Sequence, residues 1–413
     1  RDSIVSHFTE NNLFSNCQHG FRKKRSCVTQ LLEVMEDFTC LLDQGNSIDI
    51  IYLDFQKAFD SVPHERLLTK LKAYGICGTV LIWIQNFLFG RSQQVRVGSQ
   101  KSGKAEVLSG IPQGSILGPI LFSIFINDLP SLVDSMCKVF ADDTKIYNTV
   151  LNSKILQDDI IKLQDWSSTW NLYFNVSKCA SMHIGKKNER CEYVMKVDND
   201  YKPINVCESE KDLGVTFDCE LSFDLHIQRV VGKANQMIGI IKRAFTYLDK
   251  ETFLKLYKAF VRPHLEYANV IWSPFLKRQS IQIEKVQRRA TKLLKECQNM
   301  SYSDRLNYLK LHSLKGRRMR GDLIQMFKIC NHIDDVDAHS LFSFSQTDIT
   351  RNSQGKVFIK HCNTNKRKFS FSFRVANHWN SLLPNVKFAR NTNSFKNLLD
   401  NISKFVEYFY NFD

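Results

Sequence analysis

The chain has 413 residues, with 12 cysteines and 11 histidines, yet it contains no CxxC pair and no His-x₃₋₅-His spacing. That excludes the common structural zinc folds. The cysteines fall irregularly, at Cys17, Cys27, Cys40, Cys77, Cys137, Cys179 and beyond. They read as reduced thiols acting as small hydrophobes. The clusters Cys330-Asn331-His332 and His361-Cys362 would hold zinc only through an unusual fold. No run approaches the ~18 apolar residues of a membrane-spanning helix, so a soluble chain with no membrane partner is expected. Proline and glycine are scarce (8 and 17), and there is no internal repeat and no low-complexity tract. Those absences exclude a collagen, a linker or a disordered tail. Initiator methionine and leader are also missing from the opening Arg1-Asp2-Ser3, so a piece of a longer polyprotein is expected.

What is present is ample core material, 43% hydrophobic and 12% aromatic, and a net charge of +15. At roughly 100–200 residues per domain, two to four structural units are expected. The charge is unevenly placed. Residues 1–150 balance 15 basic against 15 acidic side chains, whereas 277–330 carry 14 against 4, and 351–390 carry 9 basic residues and no acid. Two late basic segments suit a surface that follows a polyphosphate backbone; the plain alternative is a solvated charged face. Within the second segment, Lys366-Arg367-Lys368-Phe369-Ser370-Phe371-Ser372-Phe373-Arg374 alternates like a strand with one aromatic face. Those phenylalanines serve equally well as core.

Periodicity places helices over Ser26–Leu42, His64–Tyr74, Val80–Phe89, Ser115–Asp128 and Ile155–Trp170. Strands are expected at Ile48–Leu53, Cys137–Ala141, Thr144–Tyr147, Ala180–Ile184, Tyr193–Val197 and Leu213–Phe217, with a hairpin formed by Gln93–Val97 and Lys104–Leu108. From Ser222 onward the pattern is helical. One apolar face runs through Phe253, Leu256, Tyr257, Phe260 and Val261, another through Ile283, Val286, Ala290, Leu293, Leu294 and Cys297. Beside the latter, Lys285, Arg288, Arg289, Lys292 and Lys295 form a basic stripe. An α+β body of ~220 residues followed by a helical, basic C-terminal part is the fold expected.

Three segments place acids and glycines where structure alone has little use for them. The apolar run Ile50-Ile51-Tyr52-Leu53 ends in Asp54, an acid that is costly at a buried strand end unless paired or metal-bound. Phe140-Ala141-Asp142-Asp143 puts two acids in a turn between strands, although Asp-Asp alone is an ordinary turn. Ser109-Gly110-Ile111-Pro112-Gln113-Gly114-Ser115 leads into a helix and offers backbone N–H groups to a phosphate or a base pair. Two carboxylate sites at strand ends would suit a pair of Mg²⁺ ions, each completing its shell with water and phosphate oxygens.

Taken in order, Asp54-Phe-Gln-Lys-Ala-Phe-Asp60, Gly110-Ile-Pro-Gln-Gly-Ser-Ile-Leu-Gly-Pro119 and Phe140-Ala-Asp-Asp143 resemble motifs A, B and C of reverse transcriptases. The resemblance is to those of non-LTR retrotransposons of the jockey/CR1 type. Gln18-His-Gly-Phe-Arg-Lys-Lys-Arg-Ser26 resembles the fingers motif preceding A. Trp170–Cys179 resembles motif D, and Lys211–Phe217 the primer-grip hairpin. Arg262–Ala268 and Trp379–Pro384 look like the thumb and C-terminal segment.

The resemblance implies a right-hand polymerase fold: partial fingers and ferredoxin-like palm over 1–220, a helical thumb-like region over 221–330 and a basic C-terminal segment over 331–413. It implies RNA-directed DNA polymerase activity with two Mg²⁺ ions, Mn²⁺ being a substitute, acting on dNTPs with an RNA template and a DNA primer. Asp54 and Asp142 would be the main metal ligands, assisted by Asp143. Phe59 would exclude a 2′-OH from the incoming sugar, unless it is an ordinary core residue, and Phe55 would also lie at the substrate. Gln113 and Gly114 would pack on the nascent pair. Lys178 would act as general acid near the pyrophosphate, and Arg22 would reach template or triphosphate. Lys285, Arg288, Arg289, Lys292 and Lys295 would grip nucleic acid. A triphosphate-binding fingers segment and an endonuclease, which relatives carry upstream, are expected to be missing. A truncated remnant that binds nucleic acid without polymerising is the alternative, and a two-metal nuclease is a third reading. Against the nuclease stand Phe59 and the Gly110–Gly114 loop, for which it has no need. The basic runs Arg22–Arg25 and Lys315–Arg320 suggest nuclear as well as cytoplasmic residence.

Overall fold

The structure is a computed structural model that describes residues 1–198, 200–344 and 355–402. The chain divides into two compact units, Arg1–Gln30 with Asn46–Glu208, and Leu31–Gly45 with Ser209–Asp413. The hairpin over 211–217, expected within the first 220 residues, therefore belongs to the second unit.

The first unit is built on a five-stranded sheet. Its strands are β1 (Ile48–Leu53), β2 (Met136–Phe140), β3 (Asp143–Thr149), β4 (Ala180–Ile184) and β5 (Asn205–Val206), in the order β5-β4-β1-β3-β2. β1 is central and antiparallel to both β3 and β4, and β5 adds in parallel to β4. Nearly every residue of β1 is buried, which is why it reads as an unbroken apolar run rather than an alternating one. Its one acid, Asp49, accepts hydrogen bonds from His183 directly across the sheet (2.7 Å), Tyr193 (2.6 Å) and Asn188 (2.8 Å). Burial works against the Asp49 carboxylate, but these donors together hold its pKa below the usual value.

Helices α1 (His64–Ala73), α2 (Gly78–Leu88), α3 (Gly118–Phe125) and α4 (Ser153–Trp170) also belong to this unit, as does the N-terminal helix Asp2–Glu10. α4 buries Leu156, Ile160, Leu163 and Trp166 at helical spacing and ends on Asn171 in the left-handed region. α3 starts three residues later than expected. Ser115 Oγ accepts the Gly118 N–H (2.9 Å), and Pro119 occupies the first turn, where no N–H is required. Lys70 of α1 is buried with its ammonium donating to Asp128 (2.5 Å) and the Phe125 carbonyl, over the rings of Trp170, Trp166 and Phe125. Desolvation pulls its pKa down to about 8 against the opposing pull of Asp128.

In the second unit, β6 (Ser209–Asp212) and β7 (Val215–Asp218) form a hairpin, followed by α5 (Asp224–Ala244). The Phe253–Val261 face breaks into a helix Lys250–Leu256 and a π-turn Tyr257–Val261. Pro263, lacking an N–H, stands at the start of the next helical segment. α6 (Lys277–Thr291) buries Ile283, Val286 and Ala290 but stops at Thr291. The expected stripe is accordingly shorter: Lys285, Arg288 and Arg289 lie on the helix, Lys292 caps it, and Lys295 sits in a separate 3₁₀ turn. Arg288 lies over the Tyr302 ring at 4.3 Å, and Arg289 donates to Asn235.

Two helices, α7 (Leu314–Cys330) and α8 (Phe371–Asn380), correct the charge reading. The expected aromatic strand Lys366–Arg374 is instead a short helix, Asn365–Lys368, followed by the first turn of α8. Its arginines are neutralised internally. Arg367 pairs with Glu36 (2.5 Å), and Arg374 makes two 2.8 Å bonds to Asp322. Nor is the Lys315–Arg320 run an open basic peptide. It is helical, with Arg317 on Glu266, Arg318 buried and Arg320 on Asp400. Burial raises the Asp322 carboxyl's pKa even though Arg374 and Arg318 pull it down.

Asp322→Ala should cost the second unit about 3–5 kcal/mol, because it leaves the Arg374 guanidinium partly buried without its acid. Native-state hydrogen exchange of the α7 amides measures this. Exchange as slow as in the wild type would show that the pair contributes little.

Candidate active site

The strand register sets the site. Leu53 of β1 pairs with Thr144 of β3. Asp54 is therefore one residue past the pair on one strand, and Asp143 one residue before it on the other. Phe140 and Asp143 close the β2–β3 hairpin, leaving Ala141-Asp142 as its two-residue turn. The carboxyls of Asp54 and Asp142 come close enough for the two charges to be felt. Desolvation first, and the negative charge of Asp54 second, raise the pKa of Asp142. Asp143 starts β3 with its side chain exposed. Among the described residues no three His, Cys, Asp or Glu side chains gather as a ready-made metal cage.

The turn is strained and held. Ala141 has φ +54°, a left-handed conformation that costs a residue with a Cβ on the order of 1–2 kcal/mol. Its N–H donates to Gln18 Oε1 (3.1 Å), which also takes the Gly20 N–H (2.7 Å). The backbone of Cys17–His19 pairs with β2 through Val139, in both directions, at 2.9 and 2.8 Å. Gly20 is required here: a Cβ would meet the Ala141 nitrogen at 2.5 Å. Buried Gln18 thus anchors the turn that carries Asp142. Sequence reasoning missed it, although it opens the quoted Gln18-His19-Gly20 run.

Asp54 is fixed from the other side. Its carbonyl accepts the Asn175 N–H (2.7 Å), and Gln56 N–H donates to the Tyr173 carbonyl (2.8 Å). Lys178, one tight turn beyond Asn175, brings its ammonium within 3.9 Å of Asp54 Oδ2 and is largely exposed. Cys179 lies buried beside Asp54, its thiol pushed up to about 11 by desolvation. Phe55 does not face the substrate side. Strand alternation turns it into the core, stacked on Phe174 at 4.5 Å and beside Trp166.

The Gly110 loop docks on the segment after Asp54. Gly110 N–H donates to Val62, Ile111 N–H to Phe59 and Ser109 Oγ to Asp60, all onto main-chain carbonyls at 2.8–3.0 Å. The Gly110 and Ile111 N–H groups are thereby committed to the fold rather than offered to a phosphate. Gln113 Nε2 donates to Asp60 Oδ1 (2.8 Å), while Gly114 has φ +78° and open space where a Cβ would stand. Phe59 is half-buried and stacked on Phe122 at 4.4 Å. Arg22 is spent locally, donating to the Ser15 carbonyl (2.7 Å) over the Phe14 ring.

Residues 2–217 match the family described as reverse transcriptase (RNA-dependent DNA polymerase). The chain belongs to this reverse transcriptase family. It is 26% identical over 309 residues to a probable RNA-directed DNA polymerase from transposon X-element of Drosophila melanogaster, covering 71% of this chain and 33% of that protein. It is 28% identical over 265 residues to the RNA-directed DNA polymerase from mobile element jockey of the same fly, covering 60% and 28%. The chain thus spans about a third of the length of these relatives. Among solved structures, telomerase from Candida albicans in complex with a fragment of telomeric RNA aligns with 75% of this chain and 57% of that one, at 10% identity and a TM-score of 0.42. The fold class is α+β, that of right-hand polymerases.

As a reverse transcriptase the chain implies dependence on a divalent metal, and the residues present fit one. Asp54 and Asp142 are hard oxygen donors; burial first and the Asp54 charge second raise the Asp142 pKa, and a cation would offset both.

Two predictions follow from this geometry. A raised carboxyl pKa in the folded state means that stability falls as pH rises from the unfolded value through the folded one, and the penalty is complete above it. Asp142→Asn should therefore raise the metal-free Tm at pH 7 by a few degrees and abolish the Mg²⁺-induced rise seen in the wild type. Thermal melts with and without Mg²⁺ decide; an unchanged Mg²⁺ response in the variant would remove Asp142 from the metal. Gln18→Leu leaves the buried Ala141 N–H without its acceptor, costing about 1–3 kcal/mol. Urea unfolding should show it, together with faster exchange of the Ala141 amide.

Proposed function

We propose that the chain extends a DNA primer on an RNA template by adding dNTPs, the primer 3′-OH attacking the α-phosphate and releasing pyrophosphate. The observation that carries this reading is the meeting of Asp54 and Asp142 at neighbouring strand ends, beside a loop bonded to Phe59 and Asp60. A nuclease needs the first feature but has no use for the second. Asp54 and Asp142, with Asp143 at the primer side, would hold two Mg²⁺ ions. When bound, these lower the barrier by stabilising charge on the attacking and leaving oxygens.

The remaining steps belong to the chain's own groups. Gln18 keeps Asp142 aimed by fixing the turn behind it. Phe59, immobilised on Phe122, bounds the space beneath the sugar and leaves no room for a 2′-OH. Gln113, tethered to Asp60, and the bare backbone at Gly114 present a flat surface to the nascent pair. The largely exposed Lys178 ammonium, 3.9 Å from Asp54 Oδ2, is placed to deliver a proton toward the departing pyrophosphate. The partners are then an RNA template, a DNA primer and dNTPs, met in the nucleus as well as the cytoplasm.

Primer extension on an RNA template with Mg²⁺ tests this. The wild type should incorporate dNTPs and Asp142→Asn should lose at least a thousandfold in rate while still binding template. Phe59→Ala should accept rNTPs at least tenfold better than the wild type. Binding without any extension by the wild type would favour the non-polymerising alternative, and template cleavage would favour the nuclease.

A further inference from the structure

The second unit holds a feature that polymerase chemistry does not use. The loop Ser273–Leu276, α6, α7 and α8 enclose a cavity of about 460 Å³, within the roughly 300–1,000 Å³ of ordinary ligand pockets. Its lining includes apolar Phe275, Ile281 and Met319 together with Lys277, Lys315 and Arg318. Arg318 is only 4% exposed and is fixed by Ser280 Oγ at 2.8 Å. The single carboxylate of the lining, Asp322, is taken up by the two bonds from Arg374. Four cations, Lys277, Lys315, Arg318 and Arg374, thus accompany one carboxylate in the lining.

Phe275 of this lining is stacked on Phe369, centroids 5.1 Å apart and planes 13° from parallel. Both rings remain exposed, 40% and 37%. Two large aromatics in water are a cost unless something covers them. Cations flank the pair. Lys277 adjoins Phe275 in the loop-to-helix turn, and Lys368 lies 5.9 Å from the Phe369 centroid. Both lysines are exposed, and neither makes an ion pair among the described residues. Exposed π-faces interleaved with ammonium groups are what single-stranded nucleic acid meets in its binding grooves. A duplex hides its base faces and could use only the charges.

We propose that the Phe275–Phe369 pair and the adjoining cavity bind single-stranded nucleic acid, one base stacking on the aromatic pair while its phosphates meet Lys277, Lys368 and the Lys315–Arg318 wall. The proposal shares with the polymerase reading only the class of partner and is independent of catalysis. It also relocates the aromatic–basic signal of 366–374: the alternating strand does not exist, but Phe369 and Lys368 reach the surface from the turn before α8.

Fluorescence anisotropy with a labelled 12-nucleotide RNA, beside a hairpin duplex of equal charge and without divalent metal, tests it. Phe275→Leu/Phe369→Leu keeps apolar bulk and removes both π-faces. It should weaken single-strand binding at least fivefold, as loss of a stacked base does, and leave duplex binding unchanged. Lys277→Glu/Lys368→Glu should lower the log–log salt slope by about 1.4, at ~0.7 per single-strand phosphate contact. Asp142→Asn should bind like the wild type, so inactive chemistry and a missing platform are told apart. Wild-type affinity in the Leu pair with an unaltered melting curve would overturn the proposal, as would equal loss for single strand and duplex.

Discussion

Two carboxylates drawn together and partly out of water repel each other, and the first unit is arranged to hold them there. The cost is visible as the raised pKa of Asp142. Three separate segments carry the load. β1 delivers Asp54 from the centre of the sheet, the Tyr173–Asn175 backbone clamps it, and Gln18 fixes the Ala141 turn opposite. Each is far from the others in sequence. A site assembled in this way exists only once the sheet has formed, and it stays incomplete electrostatically until a cation arrives.

The sheet was largely legible in advance. β1 and β4 match their expected ranges to the residue, and β2 and β3 begin and end within two residues of theirs, because buried strands write themselves as short β-branched runs between turn residues. Asp54, Asp142 and the Gly110 loop were legible because acids and glycines in such places demand a reason. Helix ends were less so. Nothing in the period of α6 announces the stop at Thr291, since Leu293, Leu294 and Cys297 continue the apolar spacing through a turn and a 3₁₀ segment.

Charge was the poorest guide. A basic run reads identically whether it faces solvent or an acid hundreds of residues away, and Glu36 with Arg367 is such a pair. The same holds for Arg320 with Asp400 and Arg317 with Glu266. Counting cations in a segment measures its composition, whereas their use depends on the tertiary partner. Phe55, next to Asp54, lies in the core against Phe174, since successive residues of an extended segment face opposite sides.

The docking of Gly110 on Asp60 has a mechanical meaning. With φ +86° and a Cβ position only 2.6 Å from the Asp60 carbonyl oxygen, the loop has no slack against its neighbour. Phe59 and Gln113 hang from opposite sides of that seam, one bonded through its own carbonyl and the other through the Asp60 carboxylate. A nucleotide that pushes the ring aside also pulls the glutamine. On the proposed reading, recognition of the sugar by Phe59 and of the base pair by Gln113 would be coupled through this one seam, so that loosening either would disturb the other.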